Sequence, residues 1–409
     1  MSPIAPSAAR PNSQLSIAIC GGGIGGLATA LTLHRAGFHP VVFERATAAQ
    51  LRTEGIFLTL APNGVNALRA VGLADAVLAA GIRTDGLAMY NERGRQLSVI
   101  DYSAHTGSFG AASSTIRRGA LAGILLNAVT ALGISVRHGG AIERVQETAA
   151  GVELSVAGRT ETFDIAIACD GLRSRVRRDL FPELPEPLYS GQIGTGGVID
   201  VPGVPDTGGL MRMTFGRQAF FGYIKAPGQP VYWFNDYGAP ESETAPVRDA
   251  DAFGARLRAM HATDPLDNAK ILAAAGAIEH HYPIYDMPEL ARWHTDRVVL
   301  MGDAAHAVTP HSGQGASMAI EDAVVLAACL AVEPNPSGAF RRFVALRHDR
   351  VHKAIEIGRA GGSQKVAGTW WERKLRDMIL PVFMPIGTRM QATMFSFRVD
   401  LTPLEPPRQ

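Results

Sequence analysis

The chain has 409 residues, 46% of them hydrophobic, enough to bury a sizeable core and to divide into two or more lobes. Its 39 Lys and Arg residues face 38 Asp and Glu, a formal net charge of +1, which removes the electrostatic case for a nucleic-acid partner. The three cysteines, Cys20, Cys169 and Cys329, sit in apolar contexts without metal-like spacing, so they read as small core hydrophobes in a reducing cytoplasm.

Residues 1–13, rich in Ser, Pro and Ala, lack the apolar stretch of a secretory signal and read as a flexible tail. Leu15 to Cys20 is apolar and of strand length, and Leu27 to Leu33 has the Ala and Leu content of a helix. Between them lies Gly21-Gly22-Gly23-Ile24-Gly25-Gly26. A strand, a tight turn and a helix in that order form a dinucleotide-binding unit. Gly21 permits the turn, Gly23 removes a side chain where a pyrophosphate must approach the backbone, and Gly26 lets the helix pack close. The helix N-terminus then offers N–H groups and partial positive charge to the diphosphate. Gly37 ends the helix, Pro40 to Phe43 returns as a second strand, and Glu44 follows it. A carboxylate about 20 residues beyond the glycines can accept hydrogen bonds from ribose hydroxyls. Ordinary turns also use glycine; the strands, helix and terminal acid in register carry the reading.

Further along, Val136 and Val152 to Val156 suggest a hairpin-like small sheet over the adenine side. Asp164 to Cys169 is a buried-type strand running into Asp170-Gly171-Leu172-Arg173-Ser174-Arg175-Val176-Arg177. From 188 to 285 the texture changes: runs at 198–201, 210–215, 219–224 and 231–234 are rich in β-branched and aromatic residues and predict a mostly antiparallel sheet. Its aromatics either line an apolar pocket, with Phe221 and Tyr223 as candidates, or fill that lobe's core. Alternation sends half to each face without saying which half. Asp296 to Met301 is another strand, ending in Gly302-Asp303-Ala304-Ala305-His306, then Pro310, His311 and Gly313-Gln314-Gly315-Ala316 before a helix. A carboxylate at a strand's C-terminal end is the expected partner of a polyol chain, although Asp303 also reads as a turn cap. The glycines at the helix start present N–H groups to developing negative charge. His306 reads as structural, packing or bonding within its loop. His280 and His281 lack metal-site spacing, and no metal is assigned. The end of the chain carries Trp370-Trp371 and an apolar run over 378–384, read as packing against both lobes. A dimer contact or transient docking on a membrane surface is the other reading. No stretch reads as long enough to cross a bilayer, so no stable insertion is expected.

The three glycine motifs, with Gly55-Ile56, Ala61-Pro62-Asn63-Gly64 and Arg118 followed by Leu121, resemble the single-component FAD-dependent aromatic hydroxylases, the class A flavoprotein monooxygenases, over nearly the whole chain. The resemblance implies an α/β fold: a Rossmann-like FAD-binding lobe interleaved with a smaller, mostly antiparallel β-sheet substrate lobe, plus a C-terminal helical tail. The FAD lobe would span 14–187 and 288–360, the substrate lobe 188–287 with a contribution from 76–114, and the tail 361–409. FAD binding would fall to Gly21, Gly23, Gly25, Gly26, Glu44 with Arg45, Arg118, Asp170, Arg177, Asp303, Gly313, Gly315 and Ala316. NADH or NADPH would reduce the flavin, O2 would add at C4a, and the hydroperoxide would hydroxylate a small aromatic or heteroaromatic substrate. His311, with Pro310 in the loop that borders the flavin in relatives, is the candidate to accept a phenolic proton or bond the peroxide. A solvent-facing loop histidine is its plainer reading. In relatives that hydroxylate purines an acid often stands there, which argues against that substrate class. An FAD-dependent epoxidase or reductase acting on an isoprenoid or polyketide double bond is the alternative activity. A nicotinamide dehydrogenase and a non-catalytic FAD-holding partner are the remaining rivals. A cytoplasmic monomer or homodimer is expected.

Overall fold

A computed structural model describes residues 14–363 and 368–399; the tail expected over 1–13 lies outside the described residues. From the amino end, β1 (Ser16–Cys20) turns into α1 (Ile24–Arg35), followed by β2 (His39–Glu44), α2 (Ala48–Thr53), β3 (Phe57–Leu60), α3 (Pro62–Leu68), α4 (Ala74–Ala80), β4 (Ile82–Thr84), β5 (Gly86–Asn91) and β6 (Gln96–Asp101). Next come α5 (His105–Phe109), β7 (Ser113–Arg117), α6 (Arg118–Ala131), β8 (Ser135–His138), β9 (Ile142–Glu147), β10 (Val152–Val156), β11 (Arg159–Phe163), β12 (Ile165–Ala168) and α7 (Arg175–Leu180). The chain then forms β13 (Leu188–Ile199), β14 (Leu210–Phe215), β15 (Phe220–Ile224), β16 (Val231–Gly238), α8 (Ala250–Met260), α9 (Asn268–Ala275) and β17 (Tyr282–Asp286). It ends with β18 (Val298–Leu300), α10 (Asp303–His306), α11 (Gly315–Val332), α12 (Pro336–Ser363) and α13 (Trp370–Phe395).

Five parallel strands in the order β18-β12-β1-β2-β8 make the central sheet. Ile17 to Cys20, Ile165 to Ala168 and Val298 to Leu300 are buried, because α1 packs on the sheet and so does the small antiparallel sheet, whose Phe163 meets Phe43 edge-on at 5.7 Å; that is why these strands are unbroken apolar runs. Val136, grouped by sequence with the small sheet, instead pairs with Val42 through β8. The small sheet itself is the antiparallel β11-β10-β9.

One expectation is corrected by α11. Its 18 residues are long and apolar enough, by composition, to cross a bilayer. The helix is nonetheless core: it packs on α1, α3 and α12, and the Thr32 hydroxyl donates to the Ala323 carbonyl at 3.0 Å. In its middle it carries Glu321 and Asp322, both fully buried.

The second lobe is a seven-stranded sheet, β17-β13-β16-β15-β14-β5-β6, antiparallel at every pair except β14 with β5. The strand expected at 198–201 is only the end of β13, which runs 12 residues. One face of this sheet packs Phe221, Tyr223 and Trp233 against Leu257 of α8 and Ile271 and Leu272 of α9. The other faces β3, where Phe57 meets Tyr232 and Phe234 edge-on at 5.4 and 6.2 Å. Two contacts brace the end of α12 to this sheet: Arg359 donates to both Asp286 oxygens at 2.7 and 3.0 Å, and the Gln192 amide donates to the Gly362 carbonyl at 2.7 Å.

Candidate active site

The carboxyl ends of β1, β12 and β18 lie side by side, so the three glycine motifs that follow them meet at one sheet edge, where open α/β sheets receive ligands. At the first, Gly21 has φ +104°, and a side chain there would be driven into the Cys169 carbonyl. A methyl on Gly26 would overlap the Gly21 carbonyl. These two glycines lie behind the turn. Gly23 and Gly25 instead line a cavity of about 380 Å³, together with Arg118, Asp303, Pro310, Gly313, Gly315 and Ala316. A side chain on Gly23 would meet no protein atom within 4 Å, leaving the backbone open to a ligand.

Glu44 sits at the end of β2, its two oxygens accepting from the Gly22 and Ala46 N–H groups at 2.6 and 2.7 Å. The carboxylate is thereby fixed beside the glycine turn with lone pairs to spare. Arg45 is exposed and does not line the cavity. One Asp170 oxygen accepts from the Arg175 and Val176 N–H groups at 2.7 and 3.1 Å, shaping the start of α7. Its other oxygen is buried without a partner among the described residues, and burial raises this carboxyl above its ordinary value. Such an orphaned acceptor fits a ligand that brings a donor. Arg177 corrects the expectation drawn from the resemblance. It is 2% exposed, and its guanidinium donates to the Ala304 and Leu172 carbonyls, both at 2.7 Å. It therefore ties the second glycine motif to the third, with no free fork for a dinucleotide phosphate.

Asp303 opens α10 and faces the cavity. The surrounding protein raises its carboxyl, while His306 and Arg118 pull it the other way. His306 packs on Trp293, 5.2 Å between ring centres, and finds its hydrogen-bond partner outside its loop. Its Nε2 lies 2.6 Å from Asp322 on α11, and the same carboxylate oxygen accepts from the Gly302 N–H at 3.0 Å. Behind it runs a network that sequence reading missed. Arg347 donates to Asp322 and Glu321, both at 2.6 Å, Arg350 makes two 2.7 Å bonds to Glu321, and Asn63 donates to Glu321 and Gln314 at 2.7 and 2.9 Å. Adjacent acids inside an otherwise apolar helix were the available signal, since buried charges require partners. The segment 61–64 is thereby seated under the start of α11, and Ser317 Oγ accepts from the Ala61 N–H at 3.3 Å.

Of the substrate-side candidates, Pro310 lines the cavity and the others are corrected. Phe221 stacks on Trp233 at 5.8 Å, and the Tyr223 hydroxyl donates to Asp267 at 3.0 Å; both belong to the core behind the sheet. The opposite face, carrying Phe220, Gly222, Ile224, Tyr232, Phe234 and Asp236, turns toward β3, whose Leu58 and Thr59 line the cavity. His311 is neither solvent-facing nor in the cavity wall: its side chain is 1% exposed, with Nε2 2.7 Å from the Gln192 amide oxygen and Nδ1 3.7 Å from Asp236. Because the Gln192 nitrogen donates to Gly362, its oxygen must accept, which puts the His311 proton on Nε2.

Comparison with known proteins agrees with this geometry. The sequence profile of the FAD binding domain family matches residues 14–356. Aurachin C monooxygenase/isomerase of Stigmatella aurantiaca is 34% identical over 89% of this chain and 94% of its own. For 6-hydroxynicotinate 3-monooxygenase of Pseudomonas fluorescens the figures are 31%, 83% and 89%. Among solved structures, HpxO of Klebsiella pneumoniae complexed with FAD and uric acid superimposes with a TM-score of 0.81 at 24% identity, covering 93% of this chain and 96% of that one. This last likeness is one of fold.

Proposed function

The chain belongs to the FAD binding domain family of FAD-dependent aromatic monooxygenases, and we propose that its own substrate is an uncharged, largely apolar aromatic or heteroaromatic ring. The family and its relatives favour ring hydroxylation over action on an isoprenoid or polyketide double bond. The substrate reading is carried by one observation. The sheet face turned toward the cavity side presents Phe220, Gly222, Ile224, Tyr232 and Phe234, closed by Phe57, all uncharged at neutral pH, and the acid on that face, Asp236, lies 3.7 Å from His311 Nδ1. Arg117 lies over Tyr232 with its guanidinium 6.0 Å from the ring centre, but it is exposed, where an ion pair with a carboxylate substrate gains little.

FAD fits the residues present: open backbone at Gly23, the start of α1, and acids at Glu44 and Asp303. FAD bound there would supply the redox chemistry, acceptance of a hydride from NADH or NADPH and activation of O2 for transfer of one oxygen atom. The chain's residues hold and orient. The N-terminus of α1 would receive the diphosphate, Glu44 would accept from ribose hydroxyls, Asp303 would accept from the ribityl chain, and Arg118 supplies a cation in the cavity. The 18-residue α11, opening with Gly315 and Ala316, directs its positive end at the same cavity, where negative charge on a reduced ring is stabilised. The aromatic wall excludes water from the ring to be hydroxylated. His311 holds the loop to Gln192 rather than taking a proton. Cytoplasmic NAD(P)H and O2 would supply the reaction.

The test pairs neutral phenols and quinolones with their carboxylated analogues, scoring NAD(P)H consumption together with hydroxylated product. Neutral rings should give kcat/KM higher by about tenfold or more, a difference of ~1.4 kcal/mol. Preference for the carboxylates would overturn the substrate reading.

A further inference from the structure

Over residues 370–379, helix α13 turns charge inward and apolar side chains outward. Its charged Arg376 and Asp377 are only 11% and 14% exposed at the side chain and turn inward. Arg376 lies over Phe215, 4.7 Å from the ring centre, and Asp377 accepts from the Asn91 amide at 2.7 Å. Five apolar side chains of the same turns face water instead: Trp370, Trp371, Leu375, Met378 and Ile379 are 47%, 67%, 55%, 71% and 41% exposed, whereas Leu380, Met394 and Phe395 farther along the helix are buried. Trp371, Leu375 and Met378 follow at spacings of four and three, so they form one stripe on one helix face. Apolar surface costs roughly 25 cal/mol per Å² to leave in water, and a contiguous stripe of this kind marks an interaction site.

The surroundings of the stripe select the occupant. Lys374 is exposed, with its ammonium 4.5 Å from the Trp370 ring centre. Arg95 donates to the Asp377 carbonyl at 3.4 Å, which braces the turn between β5 and β6 against α13, and that turn exposes Arg93 and Arg95 beside the stripe. Glu372, the acid exposed on the same turns, is engaged with Thr369 in the capping box that starts the helix. Tryptophans and cations bordering an aliphatic stripe match the headgroup layer of an anionic bilayer, where the rings sit at the interface and the cations meet lipid phosphates. From Trp371 to Ile379 the stripe is roughly 12 Å long at 1.5 Å per residue, short of the ~800 Å² per partner that a stable dimer buries. We infer that α13 is a peripheral membrane anchor that rests this protein on anionic lipid. The anchor stands independently of the substrate reading above.

The experiment is sedimentation of the purified FAD-loaded full chain with phosphatidylcholine vesicles, with and without phosphatidylglycerol. The protein should pellet with the anionic vesicles, should be released by high salt, and its tryptophan emission should shift to the blue. Joint replacement Trp371→Ser, Leu375→Ser and Met378→Ser should lower partitioning by about tenfold or more while the bound-flavin spectrum is kept. Arg93→Glu with Arg95→Glu should weaken binding with the stripe intact. Equal recovery with and without anionic vesicles would overturn the proposal. So would a concentration-dependent dimer, seen by light scattering, that the serine substitutions abolish. Should the triple variant fail to fold, an emission spectrum of the unaltered protein that ignores the vesicles overturns it alone.

Discussion

Asp322 shows how much of the cofactor site depends on a residue that does not line the cavity. Burial alone would raise its carboxyl, but His306 and Arg347, with hydrogen bonds from His306 and the Gly302 N–H, hold it well below the ordinary carboxylate range. Its folded pKa therefore lies under the unfolded value of about 3.9. The stabilisation is fully present above that value and is lost as pH falls from there toward the folded pKa. Asp322→Asn should remove one partner of the fully buried Arg347 and cost about 3–5 kcal/mol, read as a lower Tm at neutral pH. The variant should also lose stability less steeply than the parent below about pH 4; an unchanged acid limb would show that the network is not what holds the loop. Single residues were legible here where the backbone itself demanded them. Gly21 and Gly26 admit no side chain, and the sequence marks both. His311 and Arg177 were not, because their partners, Gln192 and Ala304, stand 119 and 127 residues away and only the fold brings them near.

At the scale of elements, hydrophobic pattern named β1, β2, β12 and β18 of the central sheet, since a strand buried on both faces is apolar throughout, and misplaced the largely exposed edge strand β8. It failed on β13, where Gly194, Gly196 and Gly197 lower strand propensity; side chains at Gly196 and Gly197 would run into Trp233 of the paired β16. It failed also on the parity of β15, where both faces carry aromatics, one for α8 and α9 and one for the cavity side, so alternation is invisible in composition. The two faces should separate in experiment. Phe221→Ala removes a fully buried ring and should cost about 3–5 kcal/mol in Tm with KM for substrate unchanged. Phe234→Ala, on the face toward Phe57, should raise KM several-fold, on the order of 1 kcal/mol, with FAD retained. A KM that moved with Phe221 and not with Phe234 would place the substrate on the other side of the sheet.

For the molecule as a whole, interleaving was readable because parallel strands from distant segments must lie together to gather their turns at one edge. What the sequence does not reveal is how the two lobes are held at a fixed separation. α12 leaves α11 in the first lobe and ends against the second, and Arg359 grips Asp286 there with both ends of its fork. Asp286 is 8% exposed at the side chain and Arg359 46%, so the acid is mostly enclosed and the arginine supplies its compensating charge. Arg359→Ala leaves that carboxylate enclosed without its cation and should lower Tm by an amount worth about 1–3 kcal/mol. The functional consequence is distinct from the loss of stability. The aromatic wall and the FAD-holding edge belong to different lobes, so a looser brace admits water between them, and a larger share of NAD(P)H consumption should end as peroxide instead of hydroxylated product. Arg359→Lys keeps the charge but loses the paired hydrogen bonds, and it should restore Tm more completely than coupling. Equal coupling in all three proteins would mean that the packing of α12, and not this ion pair, sets the distance across the site.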